Sequence, residues 1–375
     1  MAQDRHFRGI PTPGQVGYLG TVALLEQKLG GLRWIVVHGP ADEAFRELGR
    51  HTREEITRVI DVVPLLPKLR QHTAAPPNGQ QLATVWRASQ VSFPQAWDEL
   101  AALADGAGVE LDDLALLNVR GDLGPVGGCS DLAWRRGRSV IAHNEDGTAE
   151  QAGHCMLLTL LIDGQPPLTA FWYPGFLPSN AFTVTGSGLV WTIDSLTAQP
   201  PGPWAGRHFV ARGLQLAATT IEDAIEYLRE NPSAGGFSYT IGDRAGRIVI
   251  VEAAAGRHAW AEVGPTAPGG PLLWHTNHGR YIQCTEAAAN SIQRGDLLAS
   301  VKEPVDEPDA GWFLKILAGQ PLPDGVWRDP SQGGTATLCT FVADLTAGEA
   351  VVLSGGAEAA AIPLRDLAAG IQRTG

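Results

Sequence analysis

The chain has few cysteines, with Cys129, Cys155, Cys284 and Cys339 scattered through 375 residues and no C-x-x-C pair. That usage points to a reducing, cytoplasmic compartment in which a free thiol survives. Long apolar runs are also missing. Met1–Gly20 is polar and rich in glycine and proline, and Thr21–Leu25 is too short for a signal-peptide core or a membrane span, so no membrane partner is expected. An excess of positive charge is missing as well: the net charge of −12 and pI near 5.3 argue against nucleic acid or an anionic bilayer as partner. There is no G-x-S-x-G elbow, because Ser187 sits in Gly186-Ser187-Gly188, and a serine hydrolase is poorly supported. No internal repeat and no regular βαβ alternation occurs. Runs of helices and runs of strands instead favour α+β with antiparallel sheets.

What is present fits one large soluble domain, with 44% hydrophobic and 18% charged residues. The first third reads as mainly helical. A short strand at Trp34–His38 precedes a helix over 41–60, a break at Pro76-Pro77-Asn78, and helices over 94–104 and 111–118. After Cys129 strands dominate: 130–134 and 139–144 around a polar break, then 156–162, 168–172, 181–185 and 189–193. Helices over 207–218 and 221–230 follow, then hairpins over 237–252 and 337–353, with a helical pattern over 284–301 between them.

The chemistry starts at Gly127-Gly128-Cys129-Ser130. A cysteine that attacks the peptide bond before it needs a neighbour that tolerates unusual backbone geometry, and glycine is that neighbour. An isolated buried cysteine is more often a small hydrophobe, so the surroundings have to decide. In a hairpin opening at Cys129, His143-Asn144-Glu145-Asp146 returns beside the thiol, where a carboxylate could hold a freed terminus. Alone, that stretch reads equally as a solvated turn into Gly147. A second polar island, His275-Thr276-Asn277-His278, offers the Asn277 amide for an oxyanion. His275, His278 and Cys284 would be an alternative metal set, but their spacing matches no strong zinc pattern.

Further motifs fall in order along the chain. Trp97–Val109, Asp112-Asp113-Leu114 and Leu117-Asn118-Val119-Arg120 precede Gly128-Cys129-Ser130. Ala142–Asp146, Gly235-Gly236-Phe237, Val251-Glu252, His275–His278 and Thr337–Leu345 follow it. In these the chain resembles the acyl-coenzyme A:6-aminopenicillanic acid acyltransferase family of N-terminal-nucleophile (Ntn) cysteine hydrolases. The resemblance implies a four-layer αββα sandwich with two stacked antiparallel sheets. It implies self-cleavage at Gly128-Cys129 into segments 1–128 and 129–375, which together make one domain and remain associated. No metal or organic prosthetic group is implied, and acyl-coenzyme A enters only as a co-substrate. Cys129 would be the nucleophile and its freed α-amine the base, with Asp146 orienting that amine and Asn277 stabilising the oxyanion. Arg328 falls where the family carries a catalytic arginine, although a surface arginine is the plain alternative.

Two positions depart from the family. Glu145 stands where tryptophan is common and Asp194 where asparagine is frequent, which suggests a substrate carrying an amine. Asn144, Glu145, Asp194 and the aromatic residues Phe171, Trp172, Tyr173 and Phe176 are candidates for contacting it, though strand aromatics are more often core. The leading expectation is an amidohydrolase acting on a small acylated molecule in secondary metabolism. The alternatives are an acyltransferase and an uncleaved, non-catalytic binding protein.

Overall fold

The computed structural model describes residues 22–61, 63–124, 128–285 and 288–372, so Gly127 lies outside them. Strands β1 (Ala23–Leu29) and β2 (Leu32–Gly39) form a hairpin through Gly30 and Gly31, both at positive φ. A Cβ on Gly30 would stand 2.3 Å from the Val352 carbonyl oxygen, so this turn admits only glycine. Helices α1 (Ala41–His51), α2 (Arg53–Asp61), α3 (Leu65–Ala74), α4 (Asn78–Ser92), α5 (Pro94–Ala107), α6 (Leu111–Asn118) and α7 (Arg120–Leu123) follow. The single helix expected over 41–60 is two, interrupted at Thr52, whose hydroxyl donates to the Leu48 carbonyl at 2.7 Å.

Beyond Cys129 come β3 (Ser130–Arg136), β4 (Arg138–Thr148), β5 (Met156–Ile162), β6 (Leu168–Trp172), β7 (Phe182–Thr185) and β8 (Val190–Leu196). Two helices, α8 (Arg207–Ala217) and α9 (Ile221–Glu230), lead into β9 (Gly236–Gly242), β10 (Ile248–Ala254), β11 (Arg257–Val263) and β12 (Leu272–His275). Helices α10 (Ala289–Ala299) and α11 (Ala310–Leu317) precede β13 (Thr335–Asp344), β14 (Glu349–Leu353), β15 (Ala360–Pro363) and α12 (Leu364–Ala368). The helical pattern over 284–301 thus condenses to α10, and α11 was not anticipated.

The strands make a nine-stranded sheet, ordered β1-β2-β5-β6-β7-β8-β9-β10-β11, and a six-stranded sheet, ordered β12-β3-β4-β13-β14-β15. All pairs are antiparallel except β2 with β5, which corrects the expectation of wholly antiparallel sheets. The parallel pair arises because α1–α7 and the β3–β4 hairpin intervene between them, a crossover long enough to reverse direction.

Side-chain alternation along the strands builds the layers. On the outer face of the large sheet, Trp191, Tyr239, Val249 and Val251 pack on Val210 and Leu214 of α8 and Ala224 and Leu228 of α9. On the outer face of the small sheet, Leu132, Trp134, Val140 and Ala142 pack on Leu298 of α10 and on Phe313 and Leu317 of α11. The inner faces meet each other: Phe182 stacks on Phe341 with centroids 4.0 Å apart, a contact worth about 1 kcal/mol beyond its buried area. The result is the four-layer αββα sandwich. No helix among the described residues is long and apolar enough to cross a membrane.

Candidate active site

Gly137, at φ 71°, turns the β3–β4 hairpin and sets its register: Ser130 faces Asn144 and Asp131 faces His143. Cys129, one residue before β3, therefore meets Glu145, and its thiol donates to Glu145 Oε2 at 3.4 Å. Alternation sends Asn144 the other way. Its amide donates to the Leu317 carbonyl at 2.6 Å and accepts from Thr340 at 2.6 Å, so it holds α11 rather than facing the thiol.

Between the sheets, Glu145 opens a buried chain of acids and imidazoles. Its Oε2 meets His143 Nε2 at 3.0 Å, and His143 Nδ1 meets Asp131 Oδ1 at 2.6 Å. Asp131 Oδ2 in turn accepts from Thr192 and Thr240 of the opposite sheet, at 2.7 and 2.6 Å. On the other side of Asp131, β12 places His275 in register. His275 bonds Asp194 at 3.0 Å and Glu252 at 2.9 Å, and Glu252 accepts the backbone N–H groups of Arg280, Tyr281 and Ile282. Burial alone would push both imidazoles down. The charge and hydrogen bond of Asp131 with help from Glu145 raise His143 to about 10, and the hydrogen bonds of Asp194 and Glu252 raise His275 to about 9.

The sulfur, the His143 ring and the Glu145 carboxylate lie close enough to share an ion. The carboxylates of Asp131 and Glu145 favour the protonated imidazole, which in that form has no lone pair to give a metal. His275 is committed to Asp194 and Glu252 and His278 Nδ1 meets Thr276 and Ser291, so the alternative set of His275, His278 and Cys284 is not assembled.

Asp146 stands on the other flank of the thiol. Its Oδ1 accepts from Thr337 at 2.7 Å, while its buried Oδ2 has no partner among the described residues. Burial pushes its carboxyl up to about 7 against the opposing charges of Arg294 and Arg328. A Cβ built on Gly128 would lie 2.7 Å from the Asp146 Cβ, so the glycine is what lets Asp146 pack against the residue before Cys129. Burial, then the charges of Glu145, Asp194 and Asp146, hold the Cys129 thiol well above its ordinary range. The intact chain therefore keeps it protonated.

Arg294, which the sequence reading missed, is the guanidinium that touches the nucleophile. From α10 it donates to the Cys129 carbonyl, to Ser130 Oγ at 2.8 Å and to Asn277 Oδ1 at 2.7 Å. Asn277 is held by that contact and donates to the Ser195 carbonyl at 3.2 Å. Arg328, the expected arginine, sits behind Asp146: its backbone pairs with Thr337, and its side chain reaches Asp146 through charge alone.

A cavity of about 330 Å³ opens on Cys129 and is walled by Glu145, Asp146, Tyr173, Arg120 and His208, among others. That is room for a small molecule. Of the aromatic candidates only Tyr173 faces it, donating to Glu145 Oε1 at 2.5 Å. Phe171, Trp172 and Phe176 are spent in the core: Phe171 packs on Phe182, Trp172 donates to the Phe176 carbonyl at 2.7 Å, and Phe176 is fully buried. Asp194 also turns from the cavity to His275.

The profile of the acyl-coenzyme A:6-aminopenicillanic acid acyl-transferase family matches residues 134–357, beginning just after the nucleophile. A β-alanyl-dopamine/carcinine hydrolase of Drosophila melanogaster is 27% identical over 309 residues, 72% of this chain and 79% of that protein. A mutant conjugated bile acid hydrolase from Clostridium perfringens superimposes with a TM-score of 0.41 at 12% identity, covering 63% of this chain and 94% of that one. Penicillin V acylase from Agrobacterium tumefaciens gives 0.40 at 11% identity, covering 63% and 86%. With the profile running from the end of β3 past β14, the chain belongs to the acyl-coenzyme A:6-aminopenicillanic acid acyl-transferase family of enzymes.

Proposed function

We propose that the protein is a self-processing Ntn cysteine amidohydrolase that cuts a linear amide of a small acylated molecule through a thioester on Cys129. One observation carries the reading. Cys129 has its sulfur in the cavity wall and its nitrogen beside a glycine that Asp146 crowds too closely for any side chain. In processing, the sulfur attacks the Gly128 carbonyl carbon, the carbon–nitrogen bond breaks, and the thiol proton ends on the released amine. Water then hydrolyses the Gly128 thioester. The new ammonium supplies a partner for Asp146 Oδ2, which has none among the described residues, and its positive charge beside the sulfur favours thiolate. A free α-amine titrates near 8, suited to act as base.

In turnover the α-amine takes the thiol proton as sulfur attacks the substrate carbonyl, and gives it to the departing amine. Asn277 keeps one amide N–H uncommitted among the described residues for the oxyanion, its orientation fixed by Arg294. Water closes the cycle by releasing the acid. Because β2 pairs with β5, the two pieces share one sheet, which supports their staying together after the cut. The Drosophila relative's name supports a β-alanyl amide as the first substrate to try, and the acidic pair Glu145 and Asp146 in the cavity favours an amine-bearing acyl half.

Acyl transfer, for which the family is named, uses the same thioester and differs in the nucleophile that resolves it. The deciding experiment is intact mass spectrometry and N-terminal sequencing of purified protein, followed by incubation with β-alanyl amides with and without an added amine. A new N-terminus at Cys129 and free acid in both incubations support the hydrolase. A new amide favours transfer. Full-length, uncut but active protein, or cut and active Cys129→Ala, overturns the assignment.

A further inference from the structure

The cavity that holds Cys129 also holds an arginine with no ion pair among the described residues, although the charge of Glu145 reaches it across the cavity. Arg120, at the start of α7, packs its guanidinium over Phe176 at 4.2 Å and Tyr173 at 5.9 Å. One N–H donates to His208 Nε2 at 3.2 Å, and its other N–H groups have no partner among the described residues. That lone acceptor is neutral: burial, then the charges of Arg120 and Arg207, push His208 well below its ordinary range. The neighbouring Arg207 is already committed, donating to Ser195 Oγ at 2.6 Å and the Gly236 carbonyl at 3.0 Å. Asp122, on the same helix, spends its carboxylate on the backbone N–H groups of Arg207 and Gly235.

Arg120 is half-buried in the cavity wall with one neutral side-chain acceptor, so its remaining N–H groups are available to a ligand that enters the cavity. The Phe176 ring and His208 hold the guanidinium in place, and a planar fork suits a carboxylate held by two parallel hydrogen bonds. We propose that Arg120 is a specificity residue that receives a carboxylate of the substrate, so that the preferred amide carries an anionic group on one of its halves. The proposal rests on the reading of Cys129 as nucleophile and names what that site selects. Tyr173 links the two ends. Arg120 lies over its ring and Glu145, next to the sulfur, accepts from its hydroxyl. The opposite, acidic wall leaves the rest of the cavity suited to an amine.

Three probes test it: β-alanylhistamine without a carboxylate, β-alanylhistidine with one on the amine half, and succinylhistamine with one on the acyl half. Hydrolysis by the wild-type chain is read as kcat/KM, and binding to full-length Cys129→Ala by calorimetry. One of the anionic probes should exceed the neutral one by about tenfold to a hundredfold in both readouts, which identifies the half that carries the carboxylate. Arg120→Leu should erase that ratio, and Arg120→Lys should keep part of it. Where Arg120→Leu does not fold, Arg120→Gln is read the same way. Equal binding of all three probes, or a preference that survives loss of the guanidinium, overturns the proposal. Binding without hydrolysis of any probe leaves the Arg120 site standing and counts against the amidohydrolase, so the two failures are separable.

Discussion

Glu145 Oε2 stands 3.4 Å from the sulfur of Cys129 and 3.0 Å from His143 Nε2, so one carboxylate oxygen is shared by a thiol and a protonated imidazole. After burial, the charge of Glu145 is the largest influence holding that thiol protonated. Removing the charge also leaves the His143 cation paired to Asp131 alone, with its other nitrogen turned to the sulfur, and both changes favour thiolate. In Glu145→Gln, the pH midpoint for alkylation of Cys129 by iodoacetamide should move to lower pH, read by mass spectrometry of the modified peptide. An unchanged midpoint would show that the carboxylate does not govern the sulfur.

Gly128 is packed, not merely flexible. A methyl group there meets Asp146 Cβ at 2.7 Å and Thr335 Cγ2 at 3.0 Å. Relieving such contacts moves backbone or side chains at a cost of about 1–3 kcal/mol. Gly128→Ala should therefore lower the unfolding midpoint by several degrees and leave most of the chain uncut on a denaturing gel. Normal cleavage with normal stability would remove the steric argument for this glycine.

Much of the site was legible because a tight hairpin obeys simple counting. A turn at Gly137 brings the His143–Asp146 stretch back to Cys129, and the same count pairs Asp131 with His143. Asp131 could have been found that way, but it reads as one polar residue in an apolar strand until its partner on β4 is considered. Long strands such as Met156–Ile162 were plain, being continuous apolar runs buried on both faces. Short or half-exposed strands were not: β12 has four residues and β11 is largely half-exposed, so neither carries a clean period. Arg294 was out of reach, since it lies 165 residues from the carbonyl it binds, on a helix whose sequence gives no sign of which residue turns inward. The aromatic cluster misled for the opposite reason. Phe171, Trp172 and Phe176 looked like a pocket, but large rings on strands fill cores.

Arg294 ties the nucleophile's strand to the oxyanion candidate, and it does so fully buried. Replacing it with methionine keeps the bulk but strands the Cys129 carbonyl and the Asn277 oxygen without donors. Each lost charge-assisted bond inside a protein is worth about 1.5–3 kcal/mol, so Arg294→Met should lose at least about 2 kcal/mol in urea unfolding. Arg294→Lys keeps the charge but has no fork to span Ser130 and Asn277, and should recover stability only in part while cleavage stays slow. Full recovery by lysine would reduce the role of Arg294 to charge alone.

Histidines 143 and 275 make stability fall as the solution becomes alkaline. Both sit at about 10 and 9 in the fold, against 6.5 for the free side chain, so the folded chain binds more protons than the unfolded one across that interval. The derivative of unfolding free energy with pH is then negative. The stabilisation is fully present below pH 6.5 and is lost as pH rises through 9 and then 10, at roughly 1 kcal/mol per pH unit for each imidazole. Asp146, raised to about 7, adds the same sign lower down, since its folded form also retains a proton that the unfolded chain gives up near 4. Urea unfolding of uncut Cys129→Ala at pH 6.5, 8 and 9.5 should show a steadily falling midpoint. His143→Gln in the same background should start lower and fall less steeply, because the titrating proton is gone while Asp131 and Glu145 remain buried. A midpoint that holds constant or rises between pH 6.5 and 9.5 would mean that these imidazoles are neutral between their carboxylates.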